Sequence, residues 1–134
     1  MAPPLNSLDL TSRETIQAFL DASIELTTSG VQELLAEGCV FEGALTAGTL
    51  KGRLIVVAHI RQVFKGIATK GAARILHIEV DGRQVLVEWE IFAPNGQAVE
   101  GTRGRYRLSL DDSGLISAIK VEWDPRQVQG WRAL

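Results

Sequence analysis

The sequence predicts an α+β domain in which three N-terminal helices cover one face of a curved antiparallel sheet. Two observations carry this. In the first half, apolar residues recur at spacings of three and four: Ile16, Phe19, Leu20 with Ser23, then Val56, Ile60, Val63 and Ile67. From Val85 to Pro125 the chain alternates instead. Val87, Trp89, Ile91, Tyr106, Leu108, Ile119, Val121 and Trp123 share one parity, and Glu88, Glu90, Arg103, Arg105, Arg107, Lys120 and Glu122 share the other. A sheet that is apolar on one side and charged on the other needs the helices as its cover and leaves its second face to water.

Each element has its own signals. Residues 1–10 carry Pro3 and Pro4 and read as a flexible arm, with a single domain over 11–134. Thr11-Ser12-Arg13-Glu14 fits a capping box that opens the first helix. After the break at Thr28-Ser29-Gly30, Ser29 and Gln32 can cap a short second helix, which buries Val31, Leu34 and Leu35 and ends at Gly38. Cys39 to Glu42 is a short strand, and the small residues from Gly43 to Leu50 suit a loop at a pocket mouth. A third helix runs from Lys51 to Lys65, stopped by Gly66. Arg74 to Val80 alternates, with Leu76, Ile78 and Val80 on one side and Ile75, His77 and Glu79 on the other. Asp81-Gly82, Asn95-Gly96 and Asp111 to Gly114 mark the turns between the long strands. Asp124-Pro125 reads as an N-cap and first residue of a short terminal helix.

The bulk composition narrows the function. A chain of 134 residues with 46% hydrophobic content fits one domain with a substantial core. A net charge of −2 gives no electrostatic case for nucleic acid. The single cysteine, Cys39, excludes an intramolecular disulfide and reads as a core residue. His59 and His77 stand without patterned Asp or Cys partners, so no metal site is expected. There is no signal-peptide pattern and no apolar run near the ~20 residues of a membrane span, so a soluble cytoplasmic protein with no membrane partner is expected.

Three landmarks stand out: Leu34-Leu35-Ala36-Glu37-Gly38-Cys39-Val40-Phe41-Glu42, then Lys51-Gly52-Arg53 followed by Val56, then Gly114-Leu115-Ile116 leading to Glu122-Trp123-Asp124-Pro125. In this order and spacing they resemble the nuclear-transport-factor-two-like superfamily, in its polyketide-cyclase (SnoaL-like) and ketosteroid-isomerase-like branch. The likeness covers roughly residues 12 to 126. It implies a cystatin-like cone with an apolar pocket, no cofactor, and a homodimer joined through the outer sheet face. The activity it implies is that of an isomerase, cyclase or epoxide hydrolase acting on an apolar molecule. The alternative is a non-catalytic binding or dimerising protein of the same fold. A ketosteroid isomerase would carry a basic carboxylate, a tyrosine and a protonated acid where this chain has Gly43, Phe19 and Gly104, so that reaction is not expected.

The inward parity and the helical stripes predict a binding site lined by Phe19, Phe41, Val87, Trp89, Tyr106, Ile119, Val121 and Trp123. The aromatics among them fit a flat apolar ligand as well as ordinary core packing. His59, at the edge of the third helix's apolar stripe, titrates near neutrality and is the best inward acid or base. Tyr106 is a second catalytic candidate. Asp124 is a third, against a simpler reading as a cap. Glu42 is a fourth, although strand alternation turns it outward unless a bulge reverses it.

Overall fold

The structure, a computed structural model, describes residues 4–43, 48–99 and 102–122. Two α-helices pack on one face of a six-stranded mixed sheet. Helix α1 spans Leu10–Glu25 and α2 spans Arg53–Lys70. The strands are β1 (Leu35–Glu42), β2 (Leu50–Lys51), β3 (Ala72–Asp81), β4 (Gln84–Phe92), β5 (Gly104–Leu110) and β6 (Ile116–Glu122), in the spatial order β2-β1-β6-β5-β4-β3. The α+β architecture is as expected. The wholly antiparallel sheet is not, because β1 runs parallel to β6. Among the described residues, no helix is long and apolar enough to cross a membrane.

The arm expected at the N-terminus is ordered where it is described. Pro4–Ser7 form a 3-10 turn, and Leu5 and Leu8 are buried against the core, which ties the segment down. The first helix starts at Leu10, and its cap lies two residues before Thr11. Asp9 is its N-cap, and its carboxylate accepts from the backbone N–H and the hydroxyl of Ser12. Those bonds favour the ionised form and lower its pKa.

The second of the three expected helices is reduced to a 3-10 turn, Val31–Leu34. Gly38 does not terminate it. It lies inside β1, in an irregular stretch between the pairs Leu35–Ile116 and Val40–Ala118. Leu35, Cys39 and Phe41 are all buried; pairing with β6 engages Leu35 and Phe41, Cys39 O accepts from Gly52 N–H, and a longer helix would leave the β1 side of β6 unpaired. Helix α2 likewise runs past Gly66, because Ile67 on its next turn is buried in the core. It stops at Gly71, whose backbone lies so close to the Phe92 carbonyl that any Cβ would collide with it.

In β3 the pairing with β4 slips between Ile75 and His77, leaving Leu76 as the extra residue of a bulge. The bulge reverses the expected facing on one side of it. Leu76 is 39% exposed, whereas Ile75 turns inward. The turns follow their glycines, with Gly82, Gly96 and Gly114 all at positive φ. Between β4 and β5, the buried Thr102 hydroxyl bonds to Val99 O and receives the Ile91 N–H, pinning the connection to the sheet.

Candidate functional site

The inward faces of the strands and the two helices leave a cavity of about 90 Å³. Helix α1 contributes Phe19, Ser23 and Ile24, and α2 contributes His59, Ile60, Val63, Phe64 and Ile67. The sheet contributes Phe41 and the adjoining Gly43, Ala73 and Ile75, Trp89, Tyr106, and Ile119 with Val121. Strand pairing sets their heights. Tyr106 stands between Val87 and Val121 across its two neighbours, and Trp89 stands opposite Gly104.

Six of the eight residues expected to line a site lie on this wall: Phe19, Phe41, Trp89, Tyr106, Ile119 and Val121. Val87 does not. It is fully buried and packs as core, with no surface left for a ligand. Trp123 and Asp124 lie outside the described residues. Glu42 is exposed. The register Val40–Ala118, Phe41–Ile119, Glu42–Lys120 is continuous, so no bulge turns its carboxylate inward.

Of the three positions that the resemblance would assign to a ketosteroid isomerase's reacting groups, Phe19 and Gly43 line the cavity and Gly104 adjoins the Trp89 indole. Phe19 meets Tyr106 edge to face at 6.0 Å. A Cβ on Gly43 would touch Phe41 and Val121 at 3.4 Å. A Cβ on Gly104 would touch the Trp89 indole at 3.4 Å, in ordinary van der Waals contact.

Only two titratable side chains line the described wall, His59 and Tyr106. His59 stacks edge-on against Phe41, with ring centroids 4.7 Å apart. Burial lowers its pKa, so the imidazole is neutral at physiological pH. The Tyr106 hydroxyl is fully enclosed, and burial raises its pKa strongly while the neighbouring Ser23 hydroxyl opposes that shift in part. Ser23 itself donates to Phe19 O, and no bond of good geometry reaches Tyr106 Oη. The phenol is therefore a protonated donor, on a residue that lines the cavity, lacking a full partner. Nearby Cys39 is buried and free, and its thiol is pushed up to about 11, which makes it inert as a nucleophile. No three His, Cys, Asp or Glu side chains cluster as a metal set among the described residues.

The sequence reading did not assign nine of the sixteen described wall residues to the site, Ser23 and Ile75 among them. Ser23 sat on the apolar stripe of α1 in plain view, three residues beyond Leu20. Ile75 could not be found, because the bulge that turns it is a property of the β3–β4 pairing.

A cone closed by two helices over a bent sheet, with an apolar lining and a few inward polar groups, agrees with the family model for the SnoaL-like domain, which matches residues 16–119. The chain belongs to the SnoaL-like domain family. Solved structures support the same fold. A steroid delta-isomerase from Pseudomonas aeruginosa is 17% identical with a TM-score of 0.70, over 94% of this chain and 95% of that one. A nuclear-transport-factor-two-like protein from Mesorhizobium loti is 24% identical with a TM-score of 0.65, over 85% and 91%. A de novo designed protein with a curved β-sheet, 18% identical, reaches a TM-score of 0.68 over 95% and 100%. The designed protein carries the same cone, so the likeness speaks for fold and not for chemistry. No curated protein matches the sequence.

Proposed function

We propose that this SnoaL-like protein is a cofactor-independent enzyme that moves a proton on an uncharged, largely apolar substrate bearing a carbonyl oxygen. The observation that carries the reading is the pairing of two neutral groups on one apolar wall, His59 from α2 and Tyr106 from β5. Tyr106 Oη would donate a hydrogen bond to the carbonyl oxygen, which supplies the partner it lacks. Neutral His59 would take a proton from the adjacent carbon as the enolate forms, and would return it to a different carbon to complete an isomerisation. The aromatic wall would hold the flat body of the molecule. An anionic substrate is disfavoured, because no cation lines the described wall to offset its desolvation.

A second reading, apolar-ligand binding without turnover, draws on the absence of any carboxylate from that described wall. The two separate by experiment. Binding of an aromatic ketone is followed by tryptophan fluorescence, and its carbon-bound proton exchange in deuterated water by NMR. His59→Ala should slow catalysed exchange by about a hundredfold or more while binding persists. Tyr106→Phe should weaken both. Binding with no exchange above the uncatalysed rate would leave the binding protein as the answer.

A further inference from the structure

We infer that the outward face of α2 docks on an anionic membrane surface. The charge in this chain is segregated. No acidic residue occurs between Glu42 and Glu79, while Lys51, Arg53, Arg61, Lys65, Lys70 and Arg74 all fall in that interval of a chain whose net charge is −2. Of these, Arg74 is held by Glu90 on the sheet. The other five form no ion pair among the described residues, and the one side-chain bond they make runs from Arg61 Nε to Thr28 Oγ1 at 3.4 Å.

The same helix carries the exposed apolar residues that such a surface would take. Leu54 is 66% exposed and Ile55 is 54% exposed, side by side in the first turn. Leu54, Ala58, Arg61 and Lys65 recur at spacings of four, three and four, so they form one outward stripe, opposite buried Val56, Ile60 and Ile67. Apolar tips flanked by unpaired basic residues suit the boundary between anionic headgroups and acyl chains. A nucleic acid would reward the charges but not Leu54 and Ile55. This departs from the expectation of no membrane partner, which rested on the lack of a spanning run; docking on a surface needs no spanning helix, and none occurs among the described residues. Ile55 lies one turn before His59 on α2, so the docked edge would adjoin a cavity suited to molecules that partition into lipid.

The test is vesicle flotation with the full-length protein, using phosphatidylcholine alone and phosphatidylcholine mixed with phosphatidylglycerol. Binding is expected only to the mixed vesicles and should weaken as salt rises. Arg61→Glu with Lys65→Glu should lower partitioning at least on the order of fivefold per charge. Leu54→Asp with Ile55→Asp should lower it by about tenfold or more. All four positions are exposed, so melting temperatures should hold. Glu14→Gln on the opposite helix should change nothing. Failure to float with the mixed vesicles overturns the inference, as does flotation that both double variants leave intact, or binding confined to a nucleic acid or protein probe. Ketone binding measured on the same samples reports the cavity separately, so either proposal can fall without the other.

Discussion

On β4, Val87 and Trp89 are buried under the helices while Glu88 and Glu90, one residue away, look outward. The same alternation runs through β5 and β6. The inner face is held by packing and is incompletely filled, because large rings on a bent sheet cannot close every gap, and the gap is the cavity. The outer face is held by a cross-strand set of charges: Arg74–Glu90, Arg103–Glu88 at 3.1 Å, and Arg105 and Arg107 on Glu122 at 3.0 and 3.5 Å. Adjacent residues on one backbone therefore answer to different physics. Inside, shape and desolvation decide, whereas outside each contact is screened and replaceable.

The sharpest way to break that contrast is to move a charge across it. Val87→Asp places a carboxylate at a fully buried position and should destabilise the fold by about 4 kcal/mol or more, a large share of the stability of a single domain. Its neighbour Glu88→Val loses only an exposed pair with Arg103 and should stay within about 1 kcal/mol. Urea unfolding of the two variants checks this, and equal losses would mean that the two faces are not distinct.

A smaller effect tests the cavity lining. His59 has its pKa lowered by burial, from an ordinary value of 6.5. Above that value it is neutral in both the folded and the unfolded chain and contributes no pH dependence. As pH falls below it, the unfolded chain takes up the proton first, so stability declines until the folded-state pKa is passed. The melting temperature should therefore drop by a few degrees as pH falls below about 6.5 and level off for this group once its folded-state pKa is passed, and His59→Gln should flatten that drop. Parallel curves for the two proteins would remove His59 from the buried wall.

The smallest effect belongs to the outer face. Arg105→Ala should cost about 0.2–1 kcal/mol in thermal unfolding, because Arg105 and Glu122 are both partly solvated. The homodimer expected through this face adds a separate readout. Arg105→Glu should shift sedimentation from dimer toward monomer, and a wild-type protein that sediments as a monomer at micromolar concentration would end the expectation.

The sequence by itself determined the parity of the long strands, the two long helices and the turns, because these rest on local rules: a period of 2, a period of 3.6, and glycines at positive φ. It also pointed to Trp89, Tyr106, Ile119 and Val121 on the sheet side of the described wall, since residues of one parity on three neighbouring strands must share a face. What only the tertiary structure decided were pairings between segments distant in the chain. The parallel pairing of β1 with β6 converted an expected helix end at Gly38 into strand. The slipped β3–β4 register turned Ile75 inward and Leu76 out. Packing onto the core carried α2 past Gly66 and tied down Leu5 and Leu8. The physical reason is common to all of these. Local propensities differ by about 1 kcal/mol per residue, while burying one large apolar side chain contributes about 1.5–3 kcal/mol, so a long-range contact overrides a local signal wherever the two disagree.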